Sequence, residues 1–286
     1  THIDGFHHAI KAVVSTLATE TSAKDDGINL FPGMLSPADL RLLKEIFREM
    51  GLSCRMLPDY SQTLDGEPWQ TYHKIPEGGT PIQEIRAMGG ALASIELGRI
   101  LSAQESAGKV LRDRFNTPLF SLGLPIGVHE TDRFFQALES ISGLTLPEKY
   151  RQERGRLIDA YIDGHKYVSG ARAVVYGEED LVVGLSAFLS EIGVIPVLCA
   201  SGGNSGHLKN KIAEVVESTQ GQVVSVYEDV DFIEIADAAR EMKADFFIGS
   251  SKGYAVARQI QVPLVRVGFP VHDRIGGARI LHIGYE

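Results

Sequence analysis

The stretch "ARAVVYGEEDLVVGLSAFLSEIGVIPVLCA" (residues 171–200) decides the fold class. Val174–Tyr176 is a short apolar run that reads as a strand. Asp180 is positioned to N-cap a helix, and Gly193 ends that helix after "FLSEIG". Val194–Cys199 is apolar on both faces, as a buried parallel strand must be. The unit is β-α-β.

The same punctuation recurs upstream in "GINLFPGMLSPADLRLLKEIFREMGLSCRML" (27–57). Ile28–Phe31 is a strand candidate. Ser36 caps a helix, Pro37 fits its first position and Asp39 suits its first turn. Leu40, Leu43, Phe47 and Met50 recur at helical spacing, Gly51 stops the helix, and Leu52–Leu57 returns to a strand.

Both halves continue the alternation. The first adds a helix from Thr80, an apolar segment Ala91–Leu97, a helix near 102–115 and a strand near 118–122. The second adds a helix from His207, a strand Val223–Tyr227, a helix near 230–242, a strand Asp245–Ile248, a helix near 252–260 and a strand Pro263–Val267. Such alternation implies parallel sheets covered on both faces. The expected architecture is α/β: two doubly wound, Rossmann-like domains, 1–145 and 171–286, joined by a helix over 146–170 that Gly170 closes.

The bulk composition fits this. The 286 residues are 44% hydrophobic and 23% charged, enough for a normal core without disulfides or metals. A formal charge of -9 argues against nucleic acid or an anionic membrane as partner. "GVIPVLCA" (193–200) and similar runs are too short to span a bilayer. Two cysteines, Cys54 and Cys199, stand far apart with no C-x-x-C motif, which disfavours a thiolate-held zinc or iron–sulfur site and suits a reducing cytoplasm. The start at Thr1, without Met, reads as a piece of a longer chain.

Ligands of doubly wound sheets meet the loops after the strand carboxyl ends. Five such loops are expected: Pro32–Ser36, Pro58–Thr80, Gly177–Asp180, Ser201–His207 and Gly249–Gly253. "SGGNSGH" (201–207) has the setting of a phosphate cradle but no Walker or GxGxxG pattern, and we read it as a surface loop. In "GSSKG" (249–253) either an anion site or a cap by Ser250 or Ser251 fits, and we prefer the cap. In "PEGGTPIQEI" (76–85), Gly78 and Gly79 fit a positive-φ turn ahead of a Thr80 cap. His2, His7 and His8 lack a completing metal pattern, and no Ser–His–Asp or Cys–His set assembles. His129 and Glu130 sit at a helix start where solvated polar groups are expected. Asp159 and Asp163, four apart, share a helix face and are candidate oxygen ligands for a hard cation, against the plainer reading of a solvated or interface face. In "GFPVHDRIGG" (268–277), Gly268 and Pro270 turn the chain, and Asp273 and Arg274 pair with the backbone or each other. The residues alone leave open a two-domain small-ligand binding protein or a sugar-nucleotide transferase.

Taken in order, "INLFPG", "EGGT", "LPIGVHETDRFFQAL", "ERGRLIDAYIDGHKYVSGARAVVYGEEDLVVGLSAFLSEIG", "DFFIGSSKG" and "PLVRVGFPVHDR…GYE" resemble the β-type subunits of nitrogenase component 1. The resemblance covers essentially the whole chain. It implies three α/β domains in a full subunit, of which this sequence looks like the second and third, and a stop at Glu286 that reads as a truncation. It implies an α2β2 tetramer with an α-type subunit, a second β-type subunit and a transient iron protein as reductase. The cysteines for the subunit-bridging iron–sulfur cluster belong to the first domain, and the active-site cofactor to the α-type partner. Cys54 and Cys199 do not match those positions, so no cofactor is expected on this stretch. Asp159 and Asp163 match two aspartates that help bind a lone cation between β subunits. Catalytic β subunits typically follow the Asp-Arg after Gly-Phe-Pro with His-His-Leu-His. Here Asp273-Arg274 runs into Ile275-Gly276-Gly277, which is closer to the scaffold on which the iron–molybdenum cofactor matures.

Overall fold

The computed structural model describes residues 2–19, 25–75, 77–216 and 224–285. The chain opens with α1 (His2–Leu17), then β1 (Ile28–Phe31), α2 (Pro37–Glu49), β2 (Cys54–Met56), α3 (Ile82–Ala87), β3 (Ala93–Leu97), α4 (Ala107–Phe115), β4 (Leu119–Leu122) and α5 (Gly127–Ser142). Helix α6 (Glu148–Val168) then leads to β5 (Arg172–Tyr176), α7 (Glu179–Glu191), β6 (Ile195–Ala200), α8 (Leu208–Val215), β7 (Ser225–Tyr227), α9 (Phe232–Glu241), β8 (Phe246–Gly249), α10 (Tyr254–Ile260) and β9 (Leu264–Arg266).

Two parallel sheets result, with strand orders β2-β1-β3-β4 and β7-β6-β5-β8-β9. The strand order reverses between β1 and β3 in the first sheet and between β5 and β8 in the second. Those reversals place crevices beside the loops after β1, β3, β5 and β8.

Strand alternation decides which core each side chain enters. Ala173 and Val175 of β5 pack beneath α7 and α8, whereas Val174 and Tyr176 pack with α9 and α10. In β1, Ile28 and Leu30 join the core under α2 and α5, and Phe31 joins the one under α1, α3 and α4. Between them Asn29 is fully buried. Its amide donates to the Met88 carbonyl and the Ser94 hydroxyl, both at 3.0 Å.

The α2 expectation holds closely: Ser36 and Asp39 form a reciprocal capping box and Pro37 stands at the helix start. Other local expectations differ. The helix near 102–115 is broken into a 3-10 turn (Leu101–Ala103) and α4, because the buried Glu96 carboxylate binds the Ser106 hydroxyl at 2.7 Å and the Gly108 N–H at 2.6 Å. Gly78 and Gly79 do take positive φ, but Thr80 is not a cap: its hydroxyl donates to the Met56 carbonyl at 2.5 Å. The strand drawn from Val223 begins at Ser225, and Val223 lies outside the described residues, as does Pro76.

The last residues return to the first sheet. Tyr285 stacks on Phe135 with centroids 5.4 Å apart, Gly284 bridges to Ile126, and Ile283 is buried in the core under α2 and α5.

Candidate functional site

The carboxyl edges of the two sheets border one cleft, and α7 runs along its side. Each end of α7 carries a carboxylate that binds backbone N–H groups of the first half. Asp180 accepts from Ile100 at 2.6 Å and Leu101 at 3.3 Å. Glu191 accepts from Val128 at 2.8 Å and His129 at 3.0 Å, capping the start of α5, and takes the Tyr161 hydroxyl at 3.0 Å. Between these clamps Gly184 packs on Leu124 and Ile126, where a methyl group would meet Ile126 at 3.2 Å. Asp180 is therefore not the cap of its own helix. Glu178 fills that role, accepting from the N–H groups of Asp180 and Leu181. Burial, with Glu178 and Glu179 nearby, pushes the Asp180 carboxyl well above its ordinary value.

A third clamp comes from the tail. His282 Nδ1 lies 3.2 Å from Asp39 Oδ2, and its Nε2 accepts the Gly268 N–H at 3.2 Å. The Asp39 carboxylate also takes the His282 N–H at 2.7 Å. One imidazole thus ties α2 to the loop after β9.

The cleft widens over the second sheet into a cavity of about 440 Å³. Gly177, Ser201, Ser250, Lys252, Phe269 and His272 border it, with Ile3 and Met34 on the opposite wall. A narrow arm of about 40 Å³ runs on between His7, Leu124, Asp180 and His282.

The loop 201–207 keeps its phosphate-cradle setting only in outline, because the chain's own carboxylates fill it. Glu179 accepts from the Ser205 N–H at 3.2 Å and its hydroxyl at 2.8 Å, and Glu228 accepts from the Gly206 N–H at 2.8 Å. Burial, with the adjoining Glu228 carboxylate adding to it against the Ser205 bonds, pushes the Glu179 carboxyl up to about 7. Between its ordinary 4.5 and about 7 the folded chain holds a proton that the unfolded chain has lost. This group's contribution to stability therefore falls as pH rises through that window. Melting temperature measured from about pH 5 to 8 should decline less steeply in Glu179→Gln than in the parent. Parallel profiles would refute the assignment.

The "GSSKG" loop is not capped as expected. Neither Ser250 nor Ser251 receives a helix N–H on its side chain. The Ser251 hydroxyl instead accepts the His272 N–H at 3.2 Å, and the Ser250 carbonyl takes the Tyr176 hydroxyl. Glu130 is not solvated either: it is buried and bonded to Arg99 at 2.5 Å, a pairing invisible in sequence because 31 residues separate the partners. Asp273 pairs with Arg266 through both oxygens, at 2.9 and 2.8 Å, while Arg274 donates to the Asp273 carbonyl at 2.8 Å.

Asp159 and Asp163 are both exposed on α6, and among the described residues no group of three His, Cys, Asp or Glu side chains gathers around a metal-sized space. His7 is half-buried at the narrow arm, where burial lowers its imidazole to about 4; His8 is exposed, and the His2 side chain lies outside the described residues. The thiols do not fit an iron–sulfur cluster. Cys54 lies on β2 of one sheet and Cys199 on β6 of the other, and burial pushes both thiols up to about 12. Two thiols held in separate cores, on different sheets, cannot share a cluster.

The whole chain, residues 1–286, matches the family described as nitrogenase component 1 type oxidoreductase, and the protein belongs to that family. It is 32% identical over 285 residues to the nitrogenase molybdenum-iron protein beta chain of Clostridium pasteurianum, covering 100% of this chain and 62% of that one. It is 30% identical over 288 residues to the nitrogenase iron-molybdenum cofactor biosynthesis protein NifN of Bradyrhizobium diazoefficiens, covering 99% of this chain and 58% of that one. A solved structure titled nitrogenase Cp1 at pH 6.5 superposes with a TM-score of 0.94 at 33% identity, over 100% of this chain and 62% of that one. The chain thus spans less than two thirds of the length of these relatives, and its likeness is to the β-type chains. Among the described residues no helix is long and apolar enough to cross a membrane.

Proposed function

We propose that the protein acts in nitrogen fixation as the β-type partner of an α-type chain in the scaffold that assembles an iron–molybdenum cofactor. The observation that carries the reading is the run Asp273-Arg274-Ile275-Gly276-Gly277. It departs from the histidine-rich continuation of catalytic chains, and Ile275 stands exposed where Gly276 turns with φ +76°. Similarity to NifN supports it. The second reading is a catalytic β subunit reducing dinitrogen with electrons from a transient iron protein, and it is favoured by relatives named molybdenum-iron and vanadium-iron beta chains.

In both readings the iron–sulfur cluster of the complex takes its ligands from residues other than Cys54 and Cys199. Asp159 and Asp163 then serve an interface cation only with ligands from beyond α6, such as a second β-type subunit. A cytoplasmic setting fits this chemistry.

Deletion of the gene in its source organism separates the readings. A scaffold mutant loses acetylene reduction, and its extract recovers activity when isolated iron–molybdenum cofactor is added. A catalytic mutant does not recover. Unimpaired acetylene reduction in the mutant would defeat both.

A further inference from the structure

We propose that the cavity at the second sheet binds a small organic anion, an apolar body bearing one carboxylate or phosphate, with Lys252 as its counter-ion. The inference is independent of the branch of the family. Three observations converge on it. The cavity lies beside the loops after β5 and β8, the point where the strand order reverses and where doubly wound sheets take their ligands. Its volume of about 440 Å³ suits a small molecule rather than a single ion. Its border also presents an unspent set of polar side chains.

That last observation sets the ligand's charge. The acidic group at the border, Glu178, is committed to the first turn of α7 through the N–H groups of Asp180 and Leu181. The Ser201 hydroxyl is spent on the Gly177 carbonyl at 2.8 Å and the Gly203 N–H at 2.9 Å. The neighbouring loop is occupied by Glu179 and Glu228. By contrast, the Lys252 ammonium, the His272 imidazole and the Ser250 hydroxyl have no hydrogen-bond or ionic partner among the described residues, and all three border the cavity. An ammonium, an imidazole and a hydroxyl on the border of one cavity are matched by an anionic head group. The remaining wall is Ile3, Met34, Leu181, Val267, Phe269 and Pro270, an apolar surface that a bare inorganic ion would leave in contact with water.

Titration calorimetry of the chain tests this with phenyl phosphate and phenylacetate, using benzyl alcohol and inorganic phosphate as controls. The two aromatic anions are expected to bind, and the controls to bind at least about tenfold more weakly. Lys252 is exposed, so its replacement leaves the fold intact. Lys252→Ala is expected to weaken phenyl phosphate by about tenfold or more, and Lys252→Arg to retain most of the affinity. Equal binding of benzyl alcohol or inorganic phosphate, unchanged affinity in Lys252→Ala, or no binding of either aromatic anion up to about 10 mM would each overturn the proposal.

Discussion

Glu130→Ala is expected to destabilise the folded chain by about 3 kcal/mol or more in urea unfolding. The Glu130 and Arg99 side chains are only 6% and 19% exposed, so each charge has little water to fall back on. The pair meets through Arg99 Nη2 and Glu130 Oε1, and among the described residues Arg99 Nε and Glu130 Oε2 are buried with no hydrogen-bond partner. Arg133, 3.5 Å away and 58% exposed, can discharge its own charge to solvent and does not need Glu130. Removing the carboxylate therefore strands the Arg99 guanidinium rather than simply deleting one contact. Glu130 also stands in the first turn of α5, where a negative charge is favoured. The double replacement Arg99→Met with Glu130→Leu should recover most of the loss, because no buried charge is then left alone. Gly123 gives an independent check: a methyl group there would collide with the Glu130 carboxylate, so Gly123→Ala should also be destabilising. A Glu130→Ala loss below about 1 kcal/mol would show that the pair behaves as an ordinary surface bridge.

Tyr285→Ala is expected to cost about 3–5 kcal/mol, whereas Tyr285→Phe should cost about 1 kcal/mol. The ring is buried and stacked on Phe135, whose own ring lies 5.0 Å from Tyr150 and 5.7 Å from Phe134. Its hydroxyl donates to Asp132 at 2.6 Å, but Asp132 keeps two further bonds from Arg154 at 2.8 Å when that hydroxyl is lost. The asymmetry between the two variants is the informative result. Equal losses would place the contribution in the hydroxyl, and a negligible loss in Tyr285→Ala would mean that the tail does not fasten to the first sheet at all.

Much of the fold is legible in the sequence because its signals are local. The capping box at Ser36 and Asp39, the stop at Gly51, and the doubly apolar strand Ile195–Ala200 all rest on contacts within a few residues or on strand periodicity. The positions of the loops after the strand carboxyl ends follow from parallel topology alone. The ordered phrases also carried the family, since their order and spacing are properties of sequence.

Other features were out of reach because a carboxylate does not announce its partner. Asp180 and Glu178 are two residues apart at the same helix start, and both suit a cap. Only packing of α7 against the loop after β3 assigns the cap to Glu178 and turns Asp180 towards Ile100 and Leu101. Glu130 read as solvated for the same reason, since its partner Arg99 belongs to a different loop. The "SGGNSGH" loop had the glycines of an anion cradle, but its anions are Glu179 and the more distant Glu228.

The sequence by itself thus determined two parallel α/β sheets, their order of elements and the family they belong to, through short-range caps, turns and periodicity. Only the tertiary structure decided how the halves are fastened and which polar groups are left facing the cleft. Buried polar groups must find partners wherever the fold brings them. Here Asp180 and Glu191 find theirs on backbone N–H groups of the first half, His282 finds Asp39 of α2, and Lys252 at the cleft border remains unpaired among the described residues.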